Sequence, residues 1–134
     1  MTNIETLISF RSQQAKETLD DAKKMIEMKM HPRSIVNRTY YSMFYIVLAL
    51  LYKYNIEVKT SKHIGVISLF DTNFVHTNKI DVHFSKILHK QFKMRLKGDY
   101  KEDTLLTEDD AKSSYENAEL FLSEIAKLIN TEKI

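Results

Sequence analysis

The sequence contains no cysteine and no tryptophan, and only one proline and two glycines among 134 residues. Without cysteine there is no disulfide and no thiolate metal site, and a reducing cytoplasm suits such a chain. Tight turns between strands draw on glycine and proline. Their scarcity therefore argues against a β-rich fold and for long helices joined by few turns. A long apolar run is also missing. Tyr40 to Tyr52 comes nearest, but Ser42 interrupts it and it falls short of the ~18 residues of a membrane span. The expectation is a buried helix and no membrane association. The first residues, MTNIETLISFRSQQ, are amphipathic, include Glu5 and lack the basic-then-apolar pattern of a leader, so a cytoplasmic chain is expected.

What the chain does have is charge, unevenly placed. The net charge is only +2, which by itself makes no case for a nucleic-acid partner. Yet seven lysines and arginines lie between Lys79 and Lys101, against two acids, Asp81 and Asp99. From Glu102 to Glu124 there are eight acids and one lysine. Two solvated helix faces would produce this pattern, and so would a basic surface that meets a phosphate-bearing partner. The length fits a single domain over residues 1–134, able to hold a core without disulfide or metal.

Apolar spacing predicts five helices and no strand. The first runs from about Asn3 to Met28, opened by a capping box of Thr2 and Glu5, with Ile4, Leu7, Ile8, Arg11, Ala15, Leu19, Ala22 and Ile26 in one stripe. The second runs from about Pro32, a residue suited to a first helical position, to Tyr54. It is apolar nearly all round after Tyr40 and should be central. The third spans about Ser61 to Phe74, with Ile64, Ile67, Leu69, Phe70 and Phe74 apolar. The fourth follows a cap at Asp81 and runs to about Lys97, with Phe84, Ile87, Leu88, Phe92 and Leu96 facing in and Gly98 placed as its C-terminal cap. KEDTLL is a polar connection, and Thr107 with Asp110 opens the fifth, whose stripe of Tyr115, Ala118, Leu122, Ile125 and Ile129 runs to about Asn130. Short loops between long amphipathic helices give an all-α, up-and-down bundle of four to five antiparallel helices.

One residue resists a packing role. Arg38 stands in the first turns of the central helix, in the segment NRTYYSMFYIVLALLY. A buried guanidinium is costly unless paired. Three blocks now read together: NRTYYSMF (37–44), SKHIGVISLF (61–70) and RLKGDY (95–100). In this order and spacing they resemble the HEPN domain family, the domain named for higher eukaryotes and prokaryotes nucleotide-binding, over roughly residues 10 to 128. The branch it is similar to consists of small stand-alone prokaryotic proteins. The resemblance implies a helical bundle, often a homodimer, that pairs with a minimal nucleotidyltransferase, often as a toxin–antitoxin module. Several HEPN branches are metal-independent ribonucleases whose motif is Arg, four to six residues, then His, near the dimer interface.

That motif is absent. After Arg95 the expected positions hold Tyr100, Lys101 and Glu102, and no histidine follows Arg38, Arg33 or Arg11 at that distance. Metal-free RNA cleavage needs a group that moves protons near neutral pH, which imidazole does and tyrosine, with a reference pKa of about 10, does not. Tyr100 can instead bind phosphate or accept a nucleotide, since related toxins are silenced by nucleotide transfer onto a tyrosine near the motif. Arg38 has two readings: a tie to Asp99 joining two helices, or an anion-binding pair with Arg95. Lys62 and His63 open the third helix, where backbone amides favour anions. The aromatic patch Tyr40, Tyr41, Phe44 and Tyr45 is core, a dimer seam or a surface for stacking a base. No cofactor motif is present, and His83 and His89, six apart, do not share a helix face as a metal pair would.

The expected ligand-binding set is thus Arg38, Tyr41, Lys62, His63, Arg95, Asp99 and Tyr100, with no metal and no cofactor. In a binding module Arg38 and Arg95 would supply charge and Asp99 would orient one of them. In the alternative, a divergent metal-independent ribonuclease, Arg95 would stabilise the phosphorane and His63 or Tyr100 would handle protons. The expected partner is a nucleotidyltransferase-type protein, with a nucleotide or RNA phosphate as ligand and a second copy of the chain as dimer mate.

Overall fold

A computed structural model of the protein describes residues 2–100 and 105–131. Five α-helices follow one another: α1 (Asn3–Glu27), α2 (Pro32–Lys53), α3 (His63–Phe70), α4 (Val82–Tyr100) and α5 (Glu108–Ile129). A π-helical turn, Asp71–Val75, continues α3 without a break. There is no strand among the described residues, and no helix among them is long and apolar enough to cross a membrane. Most of the connection expected at KEDTLL lies outside the described residues.

Helix ends follow local side-chain chemistry where that chemistry is present. Thr2 Oγ1 accepts from the Glu5 amide at 3.0 Å while the Thr2 amide donates to Glu5 Oε2 at 2.9 Å, and Thr107 and Asp110 repeat the exchange at α5. Pro32 sits in the first turn of α2. The amide of His83 donates to Asp81 Oδ1 at 2.8 Å. With so little glycine, the left-handed residues that close α1, α2 and the π-helical turn are Lys29, Asn55 and Asn78.

Three expected boundaries are corrected. Gly98 does not end α4, which runs on to Tyr100, and no glycine has a positive φ. The glycine serves close approach instead. A Cβ there would stand 3.3 Å from Arg33 Cβ and 2.9 Å from the end of Leu106, so its absence lets the last turn of α4 lie against the first turn of α2. The third helix begins at His63 and not at Ser61, and its α-helical part ends at Phe70, the expected residues to Phe74 lying in the π-helical turn.

α2 is the central helix, packed against α1, α3, α4 and α5. Twelve of its residues are buried, including Tyr40, Met43 and the run Ile46–Leu51. The core adds Ala15 and Leu19 of α1, Phe70 and Phe74, Leu88 of α4, and Ala118, Phe121 and Ile125 of α5. Burying a large apolar side chain of this kind contributes roughly 1.5–3 kcal/mol, so this cluster outweighs any surface pairing in holding the bundle. Not every expected apolar position faces in. Ile4, Leu7 and Ile64 are exposed, Ile4 at the edge of a cleft it shares with Tyr52 of α2 and Ile56.

Candidate functional site

The last turns of α4 and the first turns of α2 run side by side, and the charged residues of both segments meet there. Arg95 is the buried one, only 8% exposed. Its Nε donates to Asp99 Oδ2 at 3.2 Å, one turn along the same helix, and its Nη2 lies 3.4 Å from the Tyr100 hydroxyl. Three rings surround the guanidinium: Tyr40 and Tyr41 at 5.4 Å each and Tyr100 at 5.7 Å. Electron-rich ring faces attract a cation, more strongly where water is excluded. Burial pushes the Arg95 pKa down, but the hydrogen bond to Asp99 and the neighbouring Tyr41 and Tyr100 together outweigh it. The result lies above the usual arginine value, so the cation is permanent.

Arg38 approaches the same ring from α2, 5.2 Å from the Tyr41 centroid. Both guanidinium groups are thus within reach of one tyrosine and within about 11 Å of each other. Arg38 Nε and Nη2 both donate to Asn37 Oδ1, at 3.2 and 2.9 Å, and Asn37 Nδ2 donates to Asp99 Oδ2 at 3.0 Å. A chain of contacts therefore runs guanidinium, amide, carboxylate, guanidinium. Asp99 takes Asn37 and Arg95 as partners, so Arg38 is joined to it only through Asn37. Arg38 is half-buried and Tyr100 is 70% exposed, so the cluster opens to solvent at its rim while Arg95 is recessed. Beside it lies a polar cleft of about 250 Å³ lined by Arg33, Ser34, Asn37, Gly98 and Asp99.

His63 reaches this cluster from the start of α3. Its ring stacks on Phe44 at 4.3 Å, and its Nδ1 lies 2.9 Å from the hydroxyl of the fully buried Tyr40. That imidazole nitrogen is the one hydrogen-bond partner recorded for the Tyr40 hydroxyl among the described residues. Burial holds the Tyr40 pKa well above the usual phenol value, so its O–H stays and donates. A buried hydroxyl proton without an acceptor would be costly. His63 Nδ1 is therefore the acceptor and Nε2 carries the proton. Burial first, and Arg95 second, push the His63 pKa below its ordinary value, so the ring is neutral at pH 7.

Of the residues singled out from the sequence, Arg38, Tyr41, His63, Arg95, Asp99 and Tyr100 come together through these contacts. Lys62 does not: it is exposed at the cap position of α3, where its backbone amide donates to Thr60 Oγ1. Asn37 and Tyr40 are the members that site reasoning passed over. Asn37 did carry a signal, because asparagine competes with the helical backbone and is poorly suited to a helix interior unless its amide has work elsewhere. No group of three or more His, Asp or Glu that could hold a metal ion occurs among the described residues.

A comparison with known families places the chain as a whole. A family model described as "HEPN domain" matches residues 8–129. The chain belongs to the HEPN domain family. A "UPF0332 protein" of Thermotoga maritima is 38% identical over 134 residues, covering 99% of this HEPN chain and 98% of its own length. A Methanocaldococcus jannaschii protein named "Putative toxin" is 37% identical over 115 residues, 86% of this chain and 83% of its own. A second protein of that organism with the same designation is 31% identical over 99 residues, 74% and 66% of the two chains.

Proposed function

We propose that this HEPN chain is the helical half of a cytoplasmic, two-part toxin–antitoxin-like module whose other half is a minimal nucleotidyltransferase. Its relatives named as toxins support the first part of that reading. The observation that carries the site is the convergence of Arg38 and Arg95 on the Tyr41 ring beside an exposed Tyr100. Arginine offers a planar fork of donors suited to phosphate oxygens. Among the described residues Arg95 uses Nε and one Nη2 contact, which leaves further donors of its fork for a ligand. A nucleotide or RNA phosphate is the ligand that this arrangement suits.

Tyr100 is the acceptor for a nucleotide delivered by the partner. Its oxygen would bond the α-phosphorus of a nucleoside triphosphate, the bond to pyrophosphate would break, and the phenolic proton would leave to a base on the partner. Placing a nucleotide on Tyr100 would cover Arg95 directly. The test begins with the neighbouring reading frame. An adjacent small nucleotidyltransferase, co-purifying with this chain and adding one nucleoside monophosphate to Tyr100 by mass spectrometry, is the expected result. A chain that neither binds such an enzyme nor gains mass contradicts the reading.

A metal-independent ribonuclease is the second reading, in which the Tyr40 hydroxyl would have to leave His63 Nδ1 before that nitrogen, near a fixed guanidinium, could accept a proton from a ribose hydroxyl. Incubation with total RNA and chelator separates the two. Cleavage that disappears in both Arg95→Ala and His63→Ala selects the enzyme, and intact RNA with measurable nucleotide binding selects the module. The exposed apolar residues Ile4, Leu7 and Phe10 on α1 suit a homodimer seam, which light scattering of the purified chain would test.

A further inference from the structure

Apart from the arginine cluster, α4 carries a second set of cations. Lys86, Lys90, Lys93 and Lys97 recur at steps of four, three and four residues, so they form one row about 16 Å long. All four are exposed, and none pairs with a described carboxylate. The row borders a groove of about 600 Å³, whose other wall includes Leu105, 86% exposed, and Leu106. The one described carboxylate in that groove, Asp110, is engaged in capping α5 through the Thr107 amide.

Two further observations give the row a purpose. Like charges three and four apart on a helix repel one another, so a row with no partner among the described carboxylates carries a repulsion that an anionic ligand would relieve. His89 stands in the same groove, and its Nε2 is tied to Asp71 Oδ2 at 2.6 Å. Asp71 opens the π-helical turn, and its other oxygen accepts from Ser85 at 2.7 Å. π-helical turns are rare and recur where a side chain has to be placed for function. This one places a carboxylate that orients a groove histidine.

We propose that the lysine row is a docking track for the backbone of a single-stranded nucleic acid that leads to the arginine cluster. This deepens, and rests on, the phosphate-binding reading of that cluster. Arg95 lies about half a turn round α4 from the row, but Tyr100 lies between them, one turn beyond Lys97 and in contact with Arg95. A strand laid along the row therefore reaches Tyr100 at its end. Lysine ammoniums are point charges that follow a phosphate backbone without reading sequence, and exposed apolar residues such as Leu105 suit unstacked bases. An acidic protein helix would match the charge but would make no use of the continuity with Tyr100.

The test is fluorescence anisotropy of the full-length protein with a labelled oligouridylate of about a dozen nucleotides, measured across a salt series. A triple variant, Lys86→Gln with Lys90→Gln and Lys93→Gln, is expected to bind it at least about tenfold more weakly and to lower the slope of log K against log salt by about 2. Its affinity for ATP should stay at the wild-type value, and its melting temperature at low salt should be equal or higher, because repulsion has been removed. Strand binding of wild-type strength and salt slope in the triple variant would overturn the track. So would displacement of the strand by polyglutamate at equal charge concentration, which would mark the row as a surface for an acidic protein. Loss of ATP affinity in Arg95→Met with strand binding still dependent on the lysines would separate failure at the cluster from failure of the track.

Discussion

Asp99 decides much at the scale of single residues, because one carboxylate oxygen accepts from both Asn37 and Arg95. An ion pair within one helix, partly exposed, contributes little by itself. Here the pair also spans two elements through Asn37, and the guanidinium it orients is boxed by aromatic rings. Asn37→Ala is expected to lower stability by about 1 kcal/mol and to loosen Arg38 and Asp99 together, seen as lost protection of both side chains in NMR. An unchanged Arg38 signal would contradict the relay. His63 provides the pH dependence. Its folded pKa lies below the ordinary value of 6.5, so the unfolded chain takes up a proton first as pH falls. The stability it contributes is present above about pH 6.5 and is lost on acidification through the folded value. Denaturant titrations from pH 7.5 to about 5 should show this loss in the wild type and a shallower one in His63→Gln. Equal slopes in both proteins would exclude it.

At the scale of elements, the close contact between α4 and α2 depends on Gly98. A buried or facing glycine is usually read as a helix stop, and in sequence it stood where a C-cap would stand. The structure uses it for space, against Arg33 and Leu106. Gly98→Val is accordingly expected to destabilise by about 1–3 kcal/mol through overpacking, although valine is the better helix former. A neutral or stabilising outcome in thermal unfolding would show that the two helix ends are free to separate. The same contrast explains what was legible. Helix starts written in local chemistry, Thr2 with Glu5, Thr107 with Asp110, Pro32 and Asp81, were readable because their partners lie within a few residues. The end of α4 and the π-helical turn after Phe70 were not, because each is set by contacts far along the chain: Gly98 against α2, and Asp71 against Ser85 and His89 on α4.

For the whole molecule, an apolar central helix with amphipathic neighbours is enough to specify an all-α bundle, and the sequence pattern showed it. The site was legible only in part. Arg38 stood out because a cation is misplaced in an apolar helix, and Tyr100 because it occupies the place of a motif histidine. The roles of Asn37 and Tyr40 follow from tertiary neighbours that no periodicity encodes. The bundle brings two guanidinium groups, a neutral imidazole and an exposed phenol to one rim, and the proposed anion site requires the arginines to act as a pair. The most direct measurement is calorimetric titration of ATP into the wild-type protein and into Arg38→Met and Arg95→Met, substitutions that keep the aliphatic packing on Tyr41 and remove the charge. Saturable binding in the wild type, weakened at least about tenfold by each substitution, a loss of ~1.4 kcal/mol, is the expected result. No heat in the wild type, or equal affinity in all three folded proteins, would contradict a shared anion site at the α2–α4 contact.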